Sequence, residues 1–486
     1  MLQFFDSSVP EAQPAVLPTG KAALGQYMTP APIAAFMASL FPKNFTTFRL
    51  LDAGAGEGSL THAFLNACCH AGSPSPHGEV SLIEYDAGMV QKLEKNLLQI
   101  VEGLSVTTHI HHTDFIEYAS TLVAQKQRPF THAILNPPYK KISSRSSHRA
   151  LLRNAGIETV NLYTAFVALS LALLRPGGVL VAIIPRSFCN GLYYKPFRQY
   201  ILRYAAIRRI HLFTSRTEAF KADKVLQENV ILVLERESEQ TPLDISMSKN
   251  GEMHEYREAR YPFEDIVRPD DPERFIRIPD NQWEQGVLRG ADRSLKSLDI
   301  EVSTGPVVDF RVKEYLRAMP QPEDAPLLYP GHFNGKTEWP KANFKKPNAV
   351  VRCPETMKWL YPNGHYVIVR RLSSKEEKRR VVAYHVRPED FPGHPYLGFE
   401  NHLNVFHRRK HGLSAELARG LALYLNSGFV DVLFRSFNGH TQVNATDLRS
   451  LPYPSSDTLE ALGRWAAEQS ELAQENVERH LKAVLA

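Results

Sequence analysis

From Phe48 to Arg236 the chain alternates short apolar runs with longer stretches whose apolar residues recur at helical spacing. The short runs fall at 49–51, 80–83, 106–110, 133–135, 179–184, 210–213 and 230–234. Most are apolar throughout. A strand solvated on one face would alternate, so continuous apolarity marks strands covered on both faces. The helical patterns between them, clearest at 59–69 and 162–174, supply that cover. Strand and helix in alternation predict an α/β fold built on a doubly wound, mostly parallel sheet of seven strands.

After Glu235 the pattern changes. Residues 238–253 are polar, prolines then recur without a sustained period, and helical spacing returns only at 414–425 and 458–485. A length of 486 residues suits two domains. The break in pattern divides them at 240/241, with 1–240 as the α/β domain and 241–486 as an irregular α+β domain. The apolar stretch 165–184 is interrupted by Arg175-Pro176-Gly177-Gly178 and reads as helix, turn and strand, not as a membrane span. The first residues, MLQFFDSSVPEAQP, carry acids and prolines where a secretory signal has basic and then apolar residues. Cys68, Cys69, Cys189 and Cys353 form no CxxC pair and have no histidine at zinc spacing. Neither a disulfide framework nor a metal is expected, and a reducing cytoplasm is the expected compartment.

Charge separates the two parts further. The whole chain carries a formal +5, yet 331–410 holds 16 Lys and Arg against 7 Asp and Glu, which leaves the remainder at −4. A basic segment on a mildly acidic body is the pattern of a polyanion-binding module.

Three strand ends carry chemistry. The first opens into Asp52-Ala53-Gly54-Ala55-Gly56-Glu57-Gly58, where glycines let backbone approach a ligand closely. Such a loop suits a dinucleotide, S-adenosylmethionine or no ligand at all. Its G-x-G-x-G spacing and leading acid favour a ligand with a cationic methionine moiety over a pyrophosphate. The second strand ends in Glu84-Tyr85-Asp86, which places a carboxylate to accept ribose hydroxyls. The third ends in Thr113-Asp114-Phe115, an acceptor for an adenine amine beside a flat apolar ring.

Asn136-Pro137-Pro138-Tyr139 follows the strand at 133–135, at the sheet edge where open α/β folds bind ligands. An adenine amine is a poor nucleophile because its lone pair is delocalised into the ring. Acceptors for its two N–H groups let the nitrogen become more tetrahedral. Asn136 offers a side-chain carbonyl, the Asn136–Pro137 segment a backbone carbonyl, and the prolines restrict φ around them. Tyr139 can stack on the base.

In combination these motifs resemble the γ class of adenine-N6 DNA methyltransferases, the TaqI-containing group found in restriction-modification systems. Gly25-Gln26-Tyr27-Met28-Thr29-Pro30 is similar to the family's N-terminal cofactor motif, and the order that follows is the γ order: cofactor loops, NPPY, recognition region. Asn161-Leu162-Tyr163 and Leu174-Arg175-Pro176-Gly177-Gly178 continue the likeness, which covers roughly residues 20 to 236. The resemblance implies a methyltransferase sheet that binds S-adenosylmethionine through Gln26, Tyr27, Thr29, Pro30, Asp52, Ala53, Gly54, Gly56, Glu84, Asp114 and Phe115. It implies that Asn136, Pro137, Pro138 and Tyr139 hold a flipped adenine, with Phe220 of Glu218-Ala219-Phe220-Lys221 as a second aromatic against the base. Extrusion costs a few kcal/mol, offset by stacking in the pocket.

In the second domain, 302–311 and 438–444 resemble segments of methyltransferase recognition regions. Arg408, Arg409, Lys410, His440, Gln442 and Asn444 are the candidate DNA contacts, the first three tracking phosphates. Glu376-Glu377-Lys378 has half the look of a metal nuclease, but no aspartate lies shortly upstream. The expected partners are double-stranded DNA and a separate cognate restriction endonuclease. The open alternatives are transfer to RNA or to a protein glutamine, whose amide poses the same problem of acceptance, and a catalytically inert cofactor-binding subunit.

Overall fold

The computed structural model describes residues 28–69, 77–214, 228–279, 290–334, 336–374, 376–439, 441–469 and 472–485. Two compact units divide the chain, Met1–Pro269 and Asp270–Ala486.

The first unit alternates as the hydrophobic pattern predicts: α1 Ala31–Ser39, β1 Thr47–Ala53, α2 Ser59–Cys69, β2 His77–Glu84, α3 Ala87–Ile100, β3 Val106–His112, α4 Phe115–Ala124, β4 Phe130–Leu135, α5 Ser147–Asn154, α6 Leu162–Leu173, β5 Leu174–Pro185, α7 Lys195–Tyr204, β6 Ala205–Phe213 and β7 Asn229–Arg236. The strands lie in the order β3-β2-β1-β4-β5-β7-β6, parallel from β3 to β5, with β7 antiparallel between β5 and β6. The chain winds outward from β1 through β2 and β3, then restarts at β4 on β1's other side. Reversal at β1/β4 opens a crevice at the carboxyl ends of those two strands.

Burial explains the elements. Ten of the twelve residues of α6 are buried, as expected of a helix that is apolar all round. On the other face Ile33 and Met37 of α1 and Phe64 of α2 pack with Leu50, Val80, Ile134 and Val181. Arg175, Pro176 and Gly177 stand exposed at the start of β5, and the β4–β5 register shifts between Phe130 and His132, so the anticipated turn bulges from the strand.

The sheet does not stop at seven strands. β8 Leu243–Ser248 pairs parallel to β6, and β9 Arg257–Tyr261 pairs antiparallel to β8. The first unit therefore runs to Pro269, beyond the 240/241 division read from sequence. The polarity that suggested a domain boundary has a buried use: Ser246 and Ser248 hydroxyls lie 3.0 and 3.1 Å from the ring nitrogens of buried His211. Burial holds that imidazole down at about pKa 3, so it stays neutral.

The second unit is α+β. One antiparallel sheet orders Glu301–Thr304, Leu403–His407, Tyr366–Arg370 and Ala383–Val386, and a five-stranded sheet of short strands lies in the same unit. The periodicity at 414–425 is the helix Ala415–Leu425, capped by the Ser414 side chain. The long pattern at 458–485 is two helices, Ser456–Ala467 and Gln474–Leu485. No proline or glycine separates them, so nothing along the chain marks the break.

Helices Ala415–Leu425 and Ser456–Ala467 approach backbone to backbone through two glycines. A Cβ on Gly420 would sit 1.8 Å from the Leu459 carbonyl oxygen, and one on Gly463 would sit 1.9 Å from that of Glu416. Gly420→Ala and Gly463→Ala should each destabilise the second unit by roughly 1–3 kcal/mol or more in urea unfolding. The double variant should cost less than the sum, since both push the same helices apart. Additive costs would contradict a shared contact.

Candidate active site

At the end of β1 the chain turns through Gly54, Gly56 and Gly58, all at positive φ (78°, 57° and 87°), which a side chain would strain. Backbone N–H groups of Gly54 and Ala55 donate to the Ile83 carbonyl at 2.9 and 3.0 Å, tying this loop to the end of β2. Glu84 completes the tie. Its Oε2 accepts from the Gly56 N–H at 2.9 Å, and its Oε1 accepts from the N–H groups of Tyr85 and Asp86 at 2.8 Å each. Three backbone donors fix a buried carboxylate at the crevice, where Oε2 keeps acceptor capacity.

Asp114 caps α4, with Oδ1 accepting from Ile116 N–H at 2.7 Å and Glu117 N–H at 3.2 Å. Its other oxygen lies 3.2 Å from His148 Nε2 on α5. Phe115 meets Phe166 of α6 with ring centroids 4.7 Å apart. These groups surround a cavity of about 670 Å³ whose wall includes Gly54, Gly56, Glu84, Asp114, Phe115, Asn136 and Pro138.

Asn136 leaves β4 at the crevice between β1 and β4. Its amide nitrogen donates to Thr29 Oγ1 at 3.0 Å, and its Oδ1 accepts from the Tyr139 hydroxyl at 3.1 Å. The same hydroxyl reaches the Ile183 carbonyl at 3.3 Å. Tyr139 packs edge-on to Tyr163, whose hydroxyl lies 3.0 Å from Ser187 Oγ.

Several sequence expectations change place. Asp52 is fully buried, off the cavity wall, and accepts from the Thr61 hydroxyl at 2.7 Å, so it braces the loop from behind instead of facing a ligand. Ala53 is equally enclosed within β1. Thr29 turns to Asn136, and Pro30 starts α1, so neither lines the cavity. Pro137 is buried, and Tyr139 stands beside Asn136 without joining the wall. Gln26, Tyr27, Phe220 and His440 lie outside the described residues. Conversely, the wall includes Met28 and Leu162, which stood in motifs without a site role, and Lys140, His148 and Phe166, which the sequence did not single out. Phe166 was hidden in a uniformly apolar helix, and His148 lies in a stretch without a predicted element.

In the second unit, Arg408 and His411 close a tight turn, with Arg409 and Lys410 at positive φ. The Arg408 guanidinium donates to the Asp299 carbonyl at 3.2 Å and Lys410 Nζ to the Lys358 carbonyl at 2.8 Å, so two of the three cations have local structural work. Asn444 is a helix cap: its N–H donates to Asp447 Oδ2 at 2.9 Å. Gln442 is exposed.

The family model described as Eco57I restriction-modification methylase matches residues 81–220. The type II methyltransferase M.BsuBI of Bacillus subtilis is 50% identical over 477 residues, covering 96% of this chain and 94% of that protein. The type II methyltransferase M.PstI of Providencia stuartii is 40% identical over 458 residues, covering 91% and 89%. Among solved structures, the type IIL restriction-modification enzyme MmeI in complex with DNA overlaps at a TM-score of 0.49 and 10% identity, over 93% of this chain and 70% of that one.

Burial raises the Asp52 carboxyl to about pKa 7, with the charge of Glu84 adding to the rise and the Thr61 hydrogen bonds opposing it. A folded pKa above the unfolded value means that the contribution of Asp52 to stability is fully present below about pH 4. It is lost as pH rises through about 7. Asp52→Asn cannot ionise. Relative to wild type it should gain stability between pH 4 and pH 8, by a few kcal/mol in denaturant unfolding. Parallel pH profiles for the two proteins would contradict the buried assignment.

Proposed function

Because the chain belongs to the type II restriction-modification methyltransferases, we propose that it moves a methyl group from S-adenosylmethionine to the N6 amine of adenine at a fixed sequence in double-stranded DNA. The observation that carries this reading is Asn136, which shares one cavity wall with Glu84, Asp114 and Phe115 while its amide is held by Thr29 and Tyr139. Glu84 Oε2 would accept from ribose hydroxyls, Asp114 would accept from the cofactor's adenine amine, and Phe115 and Phe166 would cover its ring. Bound S-adenosylmethionine supplies an electrophilic methyl on a sulfonium that is already an excellent leaving group.

The protein's task is then to present the nucleophile. Thr29 takes the Asn136 amide N–H and so turns Oδ1 toward acceptance. An incoming amine donates one N–H to that oxygen and the other to a backbone carbonyl of the Asn136–Pro137 segment. The Tyr139 hydroxyl can release Oδ1 and donate to the Ile183 carbonyl instead. Acceptance by rigid groups matters most as the amine nitrogen becomes tetrahedral, which places its effect on the chemical step. A paired amine inside duplex DNA cannot reach such a crevice, so the target base is extruded, with unstacking offset by contacts in the pocket. A separately encoded endonuclease of the same specificity, in the same cytoplasm, is the partner this activity protects against.

Transfer of tritium from labelled S-adenosylmethionine offered DNA, RNA and protein together tests the substrate class. Label is expected in duplex DNA, and label in RNA or protein overturns the reading. Asn136→Ala should lower kcat about 100-fold or more while leaving the cofactor Kd within a factor of about two. Thr29→Val, which replaces the hydroxyl by a methyl, should lower kcat roughly 10-fold with the cofactor Kd unchanged, and Thr29→Ser should restore it. A weakened cofactor Kd without a fall in kcat would return Thr29 to the cofactor site.

A further inference from the structure

Four segments of the second unit, far apart in sequence, are hydrogen-bonded into one continuous ledge. Residues 305–308 run beside 399–403: Gly305 N–H donates to the Leu403 carbonyl at 2.8 Å, and Asn401 N–H donates to the Val307 carbonyl at 3.0 Å. Arg371 joins next, its N–H to the His402 carbonyl at 2.9 Å and its guanidinium to the Asn401 carbonyl at 2.8 Å. Segment 441–443 closes the row, with Val443 N–H on the Arg371 carbonyl at 2.7 Å and Ser373 N–H on the Thr441 carbonyl at 3.0 Å. Asn404, wholly buried beneath, accepts from Thr304 and donates to the Val443 carbonyl, pinning the first and last segments to the same strand.

This framework displays apolar side chains beside polar ones. Phe310 and Leu372 stand 53% and 52% exposed, although large apolar groups are costly to leave in water. The Arg311 guanidinium lies over the Phe310 ring at 5.5 Å and is itself exposed. Gln442, opposite Leu372 in the bridge between the two segments, is exposed as well. Both carboxylates of these segments are turned inward or paired: Glu400 is buried against His402, and Asp309 is paired with Lys346 at 2.8 Å. The outward charge of the ledge is therefore positive. An aromatic with a guanidinium over its ring, a leucine and a carboxamide, all exposed, are the groups that meet base edges, thymine methyls and base steps.

We propose that this ledge is the surface with which the second unit reads its DNA target, Phe310 and Leu372 making apolar contact with bases and Arg311 and Gln442 reaching hydrogen-bonding edges. The proposal rests on the DNA methyltransferase reading above. It assigns sequence choice to side chains on a hydrogen-bonded scaffold, and not to the basic turn at 408–410, two of whose cations bond to local carbonyls.

The test uses the full chain and the variants Phe310→Ala, Leu372→Ala and Gln442→Ala. Thermal unfolding checks each fold, base-resolved sequencing of methylated DNA gives the target set, and fluorescence anisotropy gives affinity for a duplex containing the wild-type target. Phe310→Ala and Leu372→Ala should weaken that affinity about 10-fold or more with unchanged unfolding midpoints, since both side chains are exposed. Gln442→Ala should spread methylation to sequences differing from the target at one position. A wild type that methylates one sequence, with three variants matching it in affinity and target set, overturns the ledge alone. A wild type that modifies no duplex DNA overturns the parent reading and the ledge with it.

Discussion

The proposed transfer needs an aromatic amine whose N–H groups are hydrogen-bonded to acceptors that hold still, and in that reading the requirement falls on one side-chain amide. Asn136 has its nitrogen committed to Thr29 and its oxygen approached by Tyr139. Everything upstream serves its placement. β4 must lie beside β1 for the crevice to exist, and the helices must bury both faces of the sheet for those strands to be continuously apolar. The loop after β1 is braced by a buried Asp52, which accepts from Thr61, and by the Glu84 carboxylate, which accepts from the Gly56 N–H. The prolines after Asn136 then restrict the chain at the one point where movement would cost acceptance.

Much of this was legible in the chain itself. The inner strands of the nucleus were readable because coverage on both faces leaves an unbroken apolar signature, which the edge strand β3 lacks, and glycine loops and NPPY mark strand ends by residue type. What escaped had a shared physical cause: a side chain whose partner is distant in sequence looks like something else. Ser246 and Ser248 read as part of a polar boundary until their hydroxyls are seen on the buried His211 ring. Asp52 reads as a ligand contact, yet Thr61 on the following helix turns it inward. Thr29 belongs to a cofactor motif by position and to Asn136 by contact. Phe166 is indistinguishable from core in a helix that is apolar all round.

The second unit shows the same limit in stronger form. Its sheets are built from short strands brought together from distant segments, so neither period 2 nor period 3.6 persists long enough to be read. Net charge pointed to 331–410, but charge alone does not distinguish a cation aimed at solvent from one bonded to a neighbouring carbonyl, as Arg408 and Lys410 are. The row of backbone bonds that unites 305–308, 371–373, 399–403 and 441–443 has no signature along the chain. It becomes visible only when the segments are side by side.

The identity of the methylated nitrogen is where the account is most exposed. Enzymatic digestion of DNA modified by the purified protein, followed by mass spectrometry of the nucleosides, reads it directly. The predicted product is N6-methyldeoxyadenosine alone. Methyl groups on the ring carbon of cytosine would contradict the role given to Asn136, and methyl groups on its exocyclic amine would contradict the choice of adenine.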